Sequence, residues 1–218
     1  IELESGDVLV LAQKIVSKSE GRLIYLRDVR PSPQANALAA ETGKDPRLVE
    51  LILRESALVL RTRPGLIITQ HRNGFICANA GIDHSNVAEA EDAYLLLPED
   101  ADASAGALQA AFSGDGQAIG VLIIDSHGRP FRNGTVGMTI GIAGSPGVVD
   151  LRGEEDLFGY ELQVSEVAAA DELAAAASLM MGQADEGYPV VHVRGFPYAL
   201  RPASLVELLR DAERDLFR

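Results

Sequence analysis

Short apolar runs of strand length outnumber the helix-like segments in this chain, and the two kinds do not alternate regularly. Asp7-Val-Leu-Val-Leu-Ala12, Ala118 to Ile124 and Pro189 to Val193 read as buried strands. Gly65 to Ala80 reads as two strands joined through His71-Arg-Asn-Gly74, where Asn73-Gly74 suits a tight turn. Ala93 to Leu97 is a short strand ending at Pro98, Thr135 to Ala143 a Gly-rich extended stretch, and Tyr160 to Val164 alternates as a strand does. Between them, 31–44 suggests a loop and helix entry. Asp45-Pro46 then reads as an N-cap followed by a first-turn proline, opening a helix through Leu53 and onward toward Leu60. Ser104 or Asp102 caps a helix to Phe112, Asp171 to Met181 is an Ala-rich helix, and Ala203 to Phe217 an amphipathic closing one. Strand and helix in this order predict a mixed α+β fold, not a doubly wound sheet.

At 218 residues the chain can bury a real core in one large domain or two small ones. No apolar run approaches the roughly 20 residues of a membrane span. Its first residues, Ile1-Glu-Leu-Glu-Ser-Gly6, show neither the basic region nor the apolar core of a secretory signal. The single cysteine, Cys77, excludes an internal disulfide and a cysteine-rich zinc site, and reads as a small buried hydrophobe. Cytoplasm is the expected compartment. A net charge of −13 argues against nucleic acid and anionic lipid as partners.

Chemistry concentrates in two polar stretches that follow strand-like runs. The first is Phe75-Ile-Cys-Ala-Asn-Ala-Gly-Ile-Asp-His-Ser-Asn86, and the second Gly120-Val-Leu-Ile-Ile-Asp-Ser-His-Gly-Arg-Pro-Phe-Arg-Asn-Gly134. Each reads as a loop that puts an Asp, Asp83 or Asp125, at a strand exit. Carboxylates there suit a hard cation, although an Asp after a strand also serves as a turn or cap residue. Arg129 and Arg132 flank Pro130-Phe131, with guanidinium forks suited to phosphate or carboxylate or to a plain surface ion pair. His71, His84, His127 and His192 show no metal spacing; His84 and His127 lie in the polar stretches, and His192 reads as a core or edge residue. Phosphate-loop, nucleophile-elbow, zinc-protease, Cys-x-x-Cys and dinucleotide motifs are all missing from the sequence.

The segments Ala78-Asn-Ala-Gly-Ile-Asp-His-Ser-Asn86 and Asp125-Ser-His-Gly-Arg-Pro-Phe-Arg-Asn-Gly134 resemble signature loops of the coenzyme F-420-0: L-glutamate ligases. Gln13-Lys-Ile-Val-Ser-Lys-Ser-Glu-Gly-Arg22 and Met180-Met-Gly-Gln-Ala-Asp-Glu-Gly187 extend the likeness over nearly the whole chain, in order. The resemblance implies two discontinuous domains, with 60–173 inserted between 1–59 and 174–218. It implies that Asp83, Asp125, Ser126 and Gln183 surround divalent cations, Mg²⁺ or Mn²⁺, two per subunit, with K⁺ as a further ion. It also implies GTP contacts at Gln13, Lys18 and Asn86, and a nucleotide-wrapping loop formed by Met181, Gly182, Gln183, Ala184, Asp185, Glu186, Gly187 and Tyr188.

The implied reaction transfers the γ-phosphoryl of GTP to the phospholactyl carboxylate of the deazaflavin precursor F-420-0, and L-glutamate then displaces phosphate from the acyl phosphate. Arg129 and Arg132 are the candidates for gripping the transferred phosphate or the acceptor carboxylate. Lys14, Lys18, Arg22, Arg129 and Arg132 would reverse the negative potential for these anionic substrates. A homodimer is expected from the resemblance and from the Gly-rich apolar stretch Thr135 to Gly147. Family members also carry a nucleotide-contacting segment about thirty residues upstream of the first strand seen here. Two other readings share these residues: a same-fold ligase for another carboxylate, and a non-catalytic homologue that binds nucleotide or deazaflavin.

Overall fold

The computed structural model describes residues 1–87, 91–114 and 116–216. In chain order, β1 is Val8–Ala12, α1 Gln13–Ser19, β2 Leu23–Tyr25, α2 Pro33–Thr42 and α3 Pro46–Arg54. Then come β3 Ser56–Arg63, β4 Leu66–His71, β5 Ile76–Ala78, β6 Ala93–Leu95 and α4 Ala101–Phe112. They are followed by β7 Gly120–Arg129, β8 Arg132–Ala143, β9 Val149–Asp150, β10 Glu166–Val167, α5 Ala169–Met181 and β11 Val190–Val193. The fold is mixed α+β, as the order of elements predicts. No helix among the described residues is long and apolar enough to cross a membrane.

Packing divides the chain into two compact units. One comprises Ile1–Ala12, Ala101–Ser126 and Val136–Arg210; the other comprises Gln13–Asp100, His127–Thr135 and the residues from Asp211 onward. These boundaries differ from 1–59 with 174–218 against 60–173. The physical reason is strand pairing: β1 lies parallel to β7, Val8 beside Gly120 and Ala12 beside Ile124, which joins 120–124 to the amino-terminal strand.

The first unit is built on a sheet in the order β11-β1-β7-β8. Strand periodicity puts Val8, Val10, Leu122 and Ile124 on one face, where they pack on Ala170, Ala174, Ala177 and Met181 of α5. Small residues on α5 let the strands come close. At Gly137 a Cβ would stand 2.4 Å from Ser178 Cβ and 2.6 Å from the Ala174 carbonyl oxygen, so only glycine fits. The stretch Thr135 to Gly147 is largely covered, by α5 and by Ala101 at the start of α4, and is not the open apolar surface expected for a dimer.

The other unit has the sheet β3-β4-β5, the pair β2-β6, and helices α2 and α3. Both helices start as local chemistry dictates. Ser32 Oγ accepts from Ala35 N at 3.2 Å, and Asp45 Oδ1 accepts from Arg47 N at 2.8 Å, each before a proline. Ala35, Ala39, Val49, Ile52, Ile67 and Ala80 form the core between them and the sheet.

Several expectations are corrected. The 31–44 segment is the complete helix α2. The helix from Pro46 stops at Arg54, and Ser56–Arg63 is a strand paired with β4. Neither Ser104 nor Asp102 caps α4: the Asp102 carboxylate lies in its first turn and accepts from Ile142 N and Leu205 N. That bond, with Glu207 held by Arg201 and by Gly147 N, keeps the carboxy-terminal segment in a short 3₁₀ turn at Leu205–Leu208. Among the described residues no amphipathic helix follows it, and Phe217 lies outside them. Tyr160 to Val164 is no sheet strand either. It is the far side of a two-stranded ribbon whose tip closes on Asp156, with Glu155 bridging Glu161.

Candidate functional site

The helix α1 follows β1 directly in the chain, and residues four apart share one of its faces, Gln13 with Ser17 and Lys14 with Lys18. Gln13 and Ser17 turn inward: Ser17 Oγ donates to Gln13 Oε1 at 2.8 Å, and the buried Gln13 Nε2 has no acceptor among the described residues. Lys14 and Lys18 turn toward the first signature loop. Lys14 Nζ lies 2.6 Å from Asp83 Oδ2 and donates to Ser85 Oγ at 2.6 Å, while Lys18 Nζ donates to the Asn86 carbonyl at 2.8 Å.

That loop is shaped by an uncommon turn. Asn79, Ala80 and Gly81 have φ of 51°, 53° and 67°, three successive residues of left-handed backbone. Asn79 tolerates this conformation and its Oδ1 accepts from Ile67 N at 3.2 Å; Ala80 bears it in the core. The chain then pairs for one bridge, Asp83 N to Leu95 O at 3.1 Å and Leu95 N to Asp83 O at 2.8 Å. Ser85 N donates to Asp83 Oδ1 at 2.7 Å and Ser85 Oγ to Oδ2 at 2.9 Å. Burial pushes the Asp83 carboxyl up, but Lys14 and the Ser85 donors outweigh it and hold the group below its ordinary range. His84 Nδ1 sits 2.8 Å from the Ala93 carbonyl, which ties the loop to β6.

The second signature segment is not a loop. β7 runs on through Asp125, Ser126 and Arg129 and turns at Pro130-Phe131 into β8, with Phe131 at φ 59°. Asp125 is therefore a strand residue, which removes the turn-cap reading. Ser126 Oγ donates to Gln183 Oε1 at 2.8 Å, and Gln183 Nε2 donates to Ser178 Oγ at 2.9 Å. Ser178 is the residue packed against Gly137, so the sheet and α5 together fix Gln183. After Met181 the loop is exposed from Gln183 through Tyr188. It folds around its own anion: Ala184 N donates to Glu186 Oε2 at 2.8 Å, and backbone N–H groups of Ala184, Glu186 and Gln183 lower the Glu186 carboxyl. Gly182, at φ 76°, lies under that carboxylate.

Arg129 and Arg132 sit at the hairpin end, and neither guanidinium has an acidic partner among the described residues. Arg22 is differently employed. It donates to Glu55 Oε2 at 2.8 Å and to the Leu97 carbonyl at 2.9 Å, so it is not a free cation for substrate. Glu55 is buried, which raises its carboxyl, but His71, Arg22 and Arg72 prevail and hold it low. His127 is also buried and tilts against Phe75 at 5.4 Å, with His71 stacked on the other side at 4.9 Å. It is a packing residue. His192 Nε2 pairs with Asp7 Oδ2 at 2.8 Å, at a sheet edge.

The structure thus groups Lys14, Asp83 and Ser85 in one unit, with Lys18 and Asn86 beside them. It groups Ser126, Gln183 and Ser178 in the other, which also carries Asp125. Three of these, Lys14 as a carboxylate partner, Ser85 and Ser178, were not singled out as site residues. Asp-x-Ser is the signal for Ser85, since a side chain two residues on commonly bonds an aspartate; Ser178 gives no signal in sequence. No three His, Cys, Asp or Glu side chains converge among the described residues. A hard cation is still chemically served: Ser126 and Gln183 present two oxygens 2.8 Å apart, about the edge of an octahedral shell with ligands at roughly 2.0–2.1 Å.

Comparison with known proteins matches the family model F420-0:Gamma-glutamyl ligase over residues 1–195. The chain is 49% identical over 221 residues to the coenzyme F420:L-glutamate ligase of Methanothermobacter thermautotrophicus, covering 100% of this chain and 86% of that protein. The protein of the same name from Methanopyrus kandleri is 49% identical over 223 residues, covering 100% and 87%. That from Archaeoglobus fulgidus is 42% identical over 219 residues, covering 100% and 86%. With the family model spanning most of its length and these relatives matching from end to end, the chain belongs to the F420-0:gamma-glutamyl ligase family.

Proposed function

We propose that the chain is a GTP-dependent ligase that joins L-glutamate to the phospholactyl carboxylate of F420-0 in coenzyme F420 biosynthesis. The observation that carries this is 49% identity over the whole of this chain to a protein named for glutamate ligation, in a chain that pairs Lys14 with Asp83 and Ser126 with Gln183.

A free carboxylate is a poor electrophile. In the first step its oxygen attacks the γ-phosphorus of GTP, the bond to the β-γ bridging oxygen breaks, and GDP leaves. In the second, the glutamate amine attacks the acyl carbon, the carbon–oxygen bond to phosphate breaks, and the nitrogen loses its proton. Phosphoryl transfer asks the protein chiefly for positioning and charge neutralisation. Arg129 and Arg132, without an acidic partner among the described residues, suit the anionic phosphoryl and carboxylate groups. Lys18 lends charge beside the Asn86 backbone, and the orphaned Gln13 Nε2 has a donor to offer. The 181–188 loop supplies backbone N–H groups, now held by Glu186, that suit a nucleotide's oxygens.

On the resemblance, Asp83, Asp125, Ser126 and Gln183 are the candidates to bind Mg²⁺ or Mn²⁺, two ions per subunit, which would neutralise phosphate charge; K⁺ is a further candidate. The enzyme is proposed to work in the cytoplasm, in keeping with a sequence that holds one cysteine and so forms no internal disulfide. For a homodimer, the apolar surface to cover is the ribbon tip, where Leu157 and Phe158 are 98% and 95% exposed. Light scattering giving twice the chain mass at micromolar concentration is the expected result.

The decisive assay mixes the protein with GTP, Mn²⁺, L-glutamate and F420-0 and reads product masses with GDP release. A product heavier by one glutamyl residue per GDP formed is expected. GDP formation only with another carboxylate would favour the alternative acceptor. Binding of GTP or deazaflavin without turnover would favour the non-catalytic homologue.

A further inference from the structure

The two lysines of α1 do different work although one helical turn separates them. Lys18 is spent on a backbone carbonyl, whereas Lys14 is spent on the carboxylate that the proposed function needs for a cation. Three donors already hold Asp83: Oδ2 receives Lys14 Nζ and Ser85 Oγ, and Oδ1 receives Ser85 N. Lys14 itself is bound to Ser85 Oγ and to the Ser85 carbonyl, so the ammonium is seated by three oxygens and not merely adjacent to one. Both lone pairs of Oδ2 are taken by these donors, and the ammonium 2.6 Å from Oδ2 repels a divalent cation approaching the carboxylate.

We propose that Lys14 is a resident counter-ion: it holds the Asp83 loop in order when no ligand is bound, and it must leave Asp83 before a divalent cation can bind there. This rests on the reading of Asp83 as a cation ligand. Breaking the pair costs free energy that a bare cation must offset alone. With a nucleotide present, the released ammonium gains a new anionic partner, so cation and nucleotide bind better together than either does alone. The lysine thereby guards an acidic protein against filling its site with free cation, without any moving domain.

The test is Mn²⁺ binding to the full chain without nucleotide, counted by the free-ion paramagnetic resonance signal. Lys14→Met keeps the apolar stem and removes the charge; it should bind Mn²⁺ about tenfold more tightly than wild type or better. Lys18→Met should stay within about twofold, and Lys14→Arg should bind no more tightly than wild type. Amide exchange at 83–86 without cation should be faster in Lys14→Met. If Lys14→Met binds as wild type does, or Lys18→Met gains as much, the displacement idea is wrong and only diffuse charge is at work. The double variant Lys14→Met/Asp83→Asn separates the two levels. Return to weak binding upholds Asp83 as the ligand, and retention of the tenfold gain overturns that underlying reading instead. Should Lys14→Met fail to fold, Lys14→Gln gives the same comparison.

Discussion

Replacing Gly81 by alanine adds one methyl group where both the backbone hand and the space oppose it. The residue sits at φ +67°, and the new Cβ would lie 2.5 Å from Leu97 Cδ1 and 2.9 Å from Leu97 Cγ. Left-handed backbone costs an L-residue roughly 1–2 kcal/mol. Leu97 is only 1% exposed and cannot swing into solvent, so overpacking adds about 1–3 kcal/mol. The variant should lose about 2–5 kcal/mol in urea unfolding followed by circular dichroism. Truncating the neighbour distinguishes the two contributions. Leu97→Ala alone should cost about 2–5 kcal/mol. In the double variant the collision is gone, so the pair should be less destabilised than the sum by about 1–3 kcal/mol, with the backbone cost remaining. Stability of Gly81→Ala within about 0.5 kcal/mol of wild type, or strict additivity in the cycle, would refute the reasoning. Because Gly81 lies two residues before Asp83, glutamate ligation should fall with stability.

Asp125→Asn keeps size and hydrogen-bonding capacity in a strand where no turn needs capping; if the charge serves a cation, steady-state ligation should fall at least about a hundredfold, and near-normal turnover would count against it. Arg194, against the opposing effect of burial, is the main cause that holds Asp7 far below the usual carboxylate range. A depressed folded-state value stabilises above the unfolded pKa of about 3.9 and is lost as pH falls below it, so Arg194→Met should narrow the wild-type stability advantage only in acid; an equal gap in melting temperature at pH 7 and at pH 3 would contradict this. Asp45→Ala removes the cap of α3 and should cost about 0.5–2 kcal/mol in denaturant unfolding, with Asp45→Asn recovering most of it.

Local chemistry was readable where one or two residues decide the backbone. Asp45-Pro46 announced α3, Asn73-Gly74 announced the β4–β5 turn, and the run ending at Ala12 announced β1. Reading failed where long-range bonds decide. Leu205 is drawn out of a helix by Asp102, a residue 103 positions away. β7 continues through Asp125 because its neighbour in the sheet continues as well, although Gly128 and Pro130 punctuate the sequence as a loop would. The polar stretch from Gln13 hid a helix because Ser17 Oγ donates to Gln13 Oε1 inside, which no hydrophobic periodicity reveals. For the site, the signature segments located Asp83, Ser126 and Gln183 in ordered clusters. The sequence did not disclose that Asp83 would already hold a cation of the protein's own, nor that Arg22 would be committed to Glu55.

Cys77 has a use that its packing makes possible. It is the chain's single thiol, it is buried on β5, and among the described residues its strand pairs only with β4, where Cys77 faces Thr69. A thiol reagent can reach it only when that edge strand peels away, so the rate of modification measures how often the second unit opens while leaving the first unit silent. The protein carries its own stopwatch for one half of its structure. Ligands that order the 79–86 segment immediately after β5 should slow that clock in proportion to their occupancy.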